Sequence, residues 1–390
     1  AANLGMTAVF ILLAVNLASG DRERAIRTIG WTMLILTGLL VLLALFEKAD
    51  LLRFYGRQTA DRVIATMGNP NYLGGYLVML VPMAVYAPLS LLTGGKIKRP
   101  GIRVFLLAAA VITVLGGILA MLLTLSRGAL AGAIIGWLLF LGCSIYVSVS
   151  NRPSKTFDEG EDKNALLRKQ KRRRLGRVVL IIGAIVLVVA LLIVLLPELN
   201  PAAGRLGFVS TFLTLDFRTM FIGRIDAWNA AVDIWLSDPP LSIIFGRGLG
   251  SYYAHVFSNY PADYRLYSTE RSFKHAHNEY LELLAESGLL GLLAWFALVG
   301  SALYLSFKVI RSGSHPSINR YAGAALISGI TGILVHSVVS LVLRTTAVQL
   351  FFFFLIAFSW LNYRAAVETG KSGEDSRLGP EGGPPRGVLS

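Results

Sequence analysis

The residues with the clearest chemical potential are His277 and Asn278, which open the stretch His277-Asn278-Glu279-Tyr280-Leu281-Glu282-Leu283-Leu284-Ala285-Glu286-Ser287-Gly288-Leu289-Leu290-Gly291 and run directly into an apolar segment. An imidazole titrates near pH 6.5 and can take a proton from a hydroxyl at neutral pH. At helical pitch His277, Leu281, Leu284 and Gly288 share a face, and Gly288 and Gly291 stand at a spacing that permits close helix packing. The plain alternative is a histidine that only caps or anchors a membrane helix at the interface.

Two arginines stand out beside it. Arg127 lies between two apolar runs with only Ser126 and Gly128 for relief. A buried arginine costs on the order of 3 kcal/mol on insertion scales, so it must snorkel to the headgroups or find an anion. Arg224 opens the segment Arg224 to Trp235, where Asp226 and Asp233 are ready structural partners. Two guanidinium groups and a neutral histidine suit a diphosphate on a lipid, because each guanidinium fork binds phosphate oxygens bidentately and stays charged. Arg344, in a turn between two apolar runs, is a third candidate for the diphosphate. Asn278, Asn69 and Asn71 are candidates for contacts to sugar or, in the case of Asn278, for orienting the imidazole.

The elements that position these groups are membrane helices. The 390 residues are 54% hydrophobic and 15% charged, with a mean hydropathy of +0.61, far more apolar than a soluble domain. Apolar runs long enough to cross about 30 Å of hydrocarbon lie near 3–19, 26–46, 71–93, 104–124, 129–149, 178–196, 287–307, 321–341 and 346–361. The expected fold is all-α, a polytopic transmembrane bundle of about nine spans, and the continuity of the runs excludes a β-barrel. Residues 1–196 form the N-terminal helices, with a disordered charged loop near 150–177. Residues 197–286 form one large extracytoplasmic loop domain. Within it, Ile225, Trp228, Val232 and Trp235 make one stripe of an amphipathic helix. Residues 287–363 are the C-terminal helices, and 364–390 a disordered tail.

The formal charge of +14 is concentrated in short flanks, including Lys96 to Arg99, Arg168 to Arg174 and Lys308 to Arg320. That distribution argues for topology signals and anionic membrane lipids rather than nucleic acid. Placing these clusters in the cytoplasm puts the turns at 126–127 and 344–345 and the segment 197–286 outside. One cysteine, Cys143, and five scattered histidines give no disulfide framework and no established zinc spacing, so neither metal nor cofactor is expected. Gly246-Arg247-Gly248-Leu249-Gly250 reads as a plain turn more readily than as an anion cradle.

His277-Asn278, with nine residues before Gly288-Leu289-Leu290-Gly291, resembles the signature of the O-antigen ligase superfamily, which includes O-antigen polymerases and bacterial protein O-oligosaccharyltransferases. Gly68-Asn69-Pro70-Asn71-Tyr72-Leu73, Leu125-Ser126-Arg127-Gly128 and Gly223-Arg224-Ile225-Asp226-Ala227-Trp228 resemble that family in the same order, from about residue 65 to 360. The resemblance implies a glycosyltransferase of the inner membrane that moves a glycan from a polyprenyl diphosphate carrier to a lipid, glycan or protein hydroxyl. It implies metal-independent inversion at the outer face, with His277 as general base and Arg127 and Arg224 on the diphosphate; Arg344 lies in a turn without a matched motif. Members have about a dozen spans, so further helices are expected ahead of Ala1. A polysaccharide polymerase of the same superfamily is the alternative reaction. A polysaccharide or lipid transporter is the alternative class, and it requires ionisable groups near the midplane, where His336 is the one histidine placed by sequence within a span.

Overall fold

A computed structural model of the chain describes residues 22–53, 62–94, 100–150, 224–237, 240–259, 275–312 and 317–378. In hydrocarbon a backbone must satisfy its own hydrogen bonds, so long apolar runs become helices; every regular element among the described residues is helical. In order these are α1 (Arg22–Lys48), α2 (Pro70–Gly94), α3 (Pro100–Leu123), α4 (Arg127–Ser150), α5 (Arg224–Leu236), α6 (Leu241–Phe245), α7 (Ser251–Asn259), α8 (Glu279–Arg311), α9 (Ser317–Ser337), a 3₁₀ turn (Val342–Arg344) and α10 (Thr346–Leu378). Six of them, α1, α3, α4, α8, α9 and α10, are long and apolar enough to cross a membrane. The chain is therefore an all-α, multi-pass membrane protein. The expected spans 3–19 and 178–196, and the charged loop from residue 151, lie outside the described residues.

Helix α9 is the most buried span and packs against α4, α2, α8 and α10. Its contact with α4 is made by small residues. A Cβ at Gly132 would run into the Gly332 carbonyl, and one at Gly136 into the Ser328 carbonyl. Small residues four apart on both helices let the backbones touch, which matters in lipid, where water does not drive helices together.

At one end of α9 the buried Arg320 donates from Nε to the Ile310 carbonyl at 2.9 Å and from Nη2 to the Ser150 hydroxyl. Beside it the Asn319 amide donates to Asn362 Oδ1 at 3.2 Å, and the Asn362 amide returns a bond to the Asn319 carbonyl at 2.9 Å. These bonds tie α4, α8, α9 and α10 together at that end. Helix α10 runs on to Leu378, with Ala365 and Ala366 buried. The expected disordered tail therefore begins as helix, because that alanine face still packs on the bundle.

Residues 224–237, 240–259 and 275–286 fold against the opposite end. Ala227, Ala230, Ala231 and Ile234 of α5 form a small core with Tyr252, Val256, Ala276 and Ala285. The expected apolar stripe of Ile225, Trp228, Val232 and Trp235 is only half-buried. The alanine face wins the core because it lets α5 approach α8 closely, which the bulkier stripe does not. Helix α8 is interrupted at Gly288, whose φ of 65° and ψ of −170° are non-helical. The expected boundary between loop and span at 286/287 thus falls at a kink inside one helix.

Candidate active site

The site is built where α1, α3 and α9 end and where α2, α4, α5, α8 and α10 begin. Buried Glu47, in the last turn of α1, accepts from the Ile64 and Ala65 amides at 2.9 and 2.7 Å. Arg62 donates to the Thr124 carbonyl at 2.9 Å and to Asn71 Oδ1 at 3.3 Å. Asn69 Oδ1 accepts from the Asn71 amide at 2.8 Å, an Asx turn that starts α2. Both asparagines are half-buried at this end of the bundle.

Leu125 adopts a left-handed φ of 50°, turning the chain from α3 into α4, and Ser126 follows, buried. The Ser126 hydroxyl lies 3.5 Å from His336 Nε2. Gly128 leaves room for the His336 ring, and Gly75 lies against its Nδ1. His336 is 1% exposed, and its Nδ1 has no hydrogen-bond partner among the described residues. It is the penultimate residue of α9, so it belongs to this end of the bundle and not to the middle of a span.

Arg127 is the first residue of α4 and exposed; Arg224 is the first residue of α5 and half-buried. Burial, and then the neighbouring charge of Arg127, push the Arg224 pKa down from its ordinary value. The Arg224 charge in turn acts on His277. Arg224 is thus coupled electrostatically to both Arg127 and His277, three of the groups singled out by sequence. Two like charges that act on one another at one end of the bundle are of the kind that can receive a polyanion.

His277 does not lie on the face of α8 with Leu281 and Gly288. Asn278 is the N-cap: its φ of −145° and ψ of 111° are extended, and its side chain accepts from the amides of Tyr280 and Leu281 at 3.0 and 3.1 Å. That is the ordinary physics of asparagine at a helix start, and it leaves His277 outside the helix with a left-handed φ of 51°. Burial above all, then the charges of Arg224 and His275, lower the His277 pKa to about 4, with Glu282 opposing them. At neutral pH the imidazole is uncharged and able to accept a proton. Gly288 admits the close approach that its spacing with Gly291 suggests, but to the short helix α6, and a Cβ at Gly291 would meet Ser287 of its own helix. A Cβ at Gly288 would strike the Ile244 carbonyl, because Gly288 is where α6 docks.

Sequence reasoning missed an acidic stripe. Glu279, Glu282 and Glu286 stand at helical spacing on one face of α8 and are all buried. Arg344 meets them at 3.5, 3.3 and 2.8 Å. Burial lowers the Arg344 pKa, but the three carboxylates together raise it above its ordinary value. The guanidinium is thus occupied as the counter-ion of α8. The signal was present as three acids three and four residues apart, next to an apolar run, which demand a cation. The glycine turn is also accounted for: the amides of Arg247 and Gly248 donate to the Ala285 and Glu286 carbonyls, and that of Gly250 to the Glu286 carboxylate. Among the described residues no group of three or more His, Cys, Asp or Glu has the arrangement to hold a metal ion.

Residues 109–296 match the family model described as O-Antigen ligase. The match spans Arg127, Arg224, His277 and Asn278, while Asn69, Asn71, His336 and Arg344 fall outside it. No curated protein matches the chain.

Proposed function

We propose, from the match of residues 109–296 to the O-antigen ligase family model, that this chain transfers a glycan from a polyprenyl diphosphate carrier to an acceptor hydroxyl at the outer face of the cytoplasmic membrane. The observation that carries the reading is the grouping of Arg127, Arg224 and an uncharged His277 at one end of the bundle.

His277 takes the proton of the acceptor hydroxyl as its oxygen attacks the anomeric carbon. The bond from that carbon to the diphosphate oxygen breaks, and the carrier diphosphate leaves with the electron pair. Attack opposite the leaving group inverts the anomeric centre. Arg127 and Arg224 take up the growing charge on the diphosphate, a role that a divalent cation fills in other transferases. Arg344, occupied by its carboxylates, supports the end of α8. Asn69 and Asn71, at the start of α2, are placed to meet sugar hydroxyls, and Asn278 orders the turn behind His277. The location of His336 at the end of α9 weighs against the transporter reading, which needs an ionisable group at the midplane.

The test is the size distribution of polyprenyl-linked glycans in source cells carrying chromosomal His277→Ala. Accumulation of long finished chains identifies ligation onto an acceptor, and accumulation of single repeat units identifies polymerisation. An unaltered carrier pool overturns both.

A further inference from the structure

Glu282 is fully buried, yet its carboxylate is directed away from its own helix and toward the turn that carries His277. One oxygen lies 2.7 Å from His275 Nδ1, and the other accepts the Ala276 amide at 2.7 Å. From a different element, Arg344 Nη1 holds the first oxygen at 3.3 Å. This is more than helix capping, since Asn278 already satisfies the first free amides of α8, and Glu282 reaches two residues further back. We propose that Glu282 is the positioning residue for the general base, fixing the turn His275-Ala276 so that His277 is presented in its left-handed conformation. This rests on the reading of His277 as the base.

The physical case has three parts. A histidine with φ of 51° sits in a backbone region that non-glycine residues leave unless the surroundings over-determine it. The bonds on either side supply that: Glu282 holds 275 and 276, and Asn278 fixes the residue after. Ala276, 0% exposed, is in addition packed into the core formed with α5 and α7. A small displacement of a catalytic group is enough to lower turnover about a hundredfold, so the constraint acts directly on rate.

The experiment follows consumption of lipid-linked glycan, extracted from source cells, in membranes carrying the full chain as wild type, His277→Ala, Glu282→Gln or the double variant. Glu282→Gln is expected to lower kcat by about 10- to 100-fold with donor KM unchanged, and the double variant is expected to be no slower than His277→Ala alone. Groups that act as one unit are non-additive in this way. Wild-type turnover in Glu282→Gln beside a slow His277→Ala overturns the positioning role and leaves the proposed function standing. Wild-type turnover in both overturns the proposed function itself. A rise in donor KM, or a double variant slower than His277→Ala, means that Glu282 acts independently of His277 and also overturns the inference. If Glu282→Gln fails to accumulate in membranes, His275→Gln decides, because it removes one partner of Glu282 from a half-exposed side chain: a several-fold fall in kcat at unchanged KM supports the inference, and wild-type turnover overturns it.

Discussion

The two ends of the helix bundle are built to different rules. At the end closed by Arg320, Asn319 and Asn362, the buried polar side chains bond carbonyls, a hydroxyl and each other across regular helices. At the other end lie all the left-handed non-glycine residues found among the described residues, Asp50, Ala65, Leu125 and His277, and the left-handed glycines 68, 246, 248, 250 and 288 with them. Strained backbone persists only where surrounding contacts enforce it, and it collects where side chains must be aimed. The regular end ties the bundle together, and the strained end holds its arginines and its histidine.

The comparison is tested most severely at His277. If the strained end carries the chemistry, His277→Ala lowers transfer by about 100- to 10,000-fold while protein abundance stays near wild type; turnover assays on membranes beside immunoblots give both numbers. Arg127→Lys keeps the charge but loses the bidentate fork, so kcat/KM for the donor is expected to fall by roughly 10- to 100-fold. Full activity in that variant makes Arg127 a structural or lipid-facing residue.

The pH profile sharpens the same point with a smaller effect. With its pKa lowered to about 4, His277 is neutral down to about pH 5, and it gains its proton, and loses its function as base, as the pH falls through 4. The acid limb of kcat/KM, which reports the free enzyme, should therefore lie near pH 4. A bound diphosphate offsets the Arg224 charge that helps lower the His277 pKa, so the limb of kcat should lie above that of kcat/KM. A limb in kcat/KM at the ordinary 6.5 places His277 in a wetter and less charged setting.

The smallest effect on chemistry belongs to the regular end. Arg320→Met removes the hydrogen bonds to the Ile310 carbonyl and the Ser150 hydroxyl and is expected to cost about 1–3 kcal/mol of stability, read as faster thermal inactivation, with turnover per folded molecule unchanged. A matching loss of turnover would erase the distinction between the two ends.

The all-α class and the residues that break the apolar pattern were legible in sequence because hydrocarbon makes them conspicuous. Arg127 is an anomaly of that kind, and its charge acts on Arg224, whose charge in turn acts on His277. What escaped reading depends on contacts between distant segments. Nothing local says that His336, placed by sequence within a span, ends its helix against Ser126, or that Arg344 is matched to three acids some sixty residues earlier in the chain. Periodicity also misplaced two features. It put His277 on the α8 face, although Asn278 ends the helix first, and it gave the packing face of α5 to Trp228 and Trp235, although alanines allow the closer approach. The acidic stripe was visible in the letters but carried no partner until Arg344 was placed beside it.

The break at Gly288 also bears on how the protein is made. Beyond it, residues 289–311 rise about 35 Å as a helix, enough to cross the hydrocarbon core without help from the polar turns before it. The acidic stripe therefore never has to enter lipid, and the span can be inserted while Glu279, Glu282 and Glu286 are still in water. An apolar helix of that length can integrate first, leaving its polar lead to anneal onto Arg344 and the α6 turn afterwards.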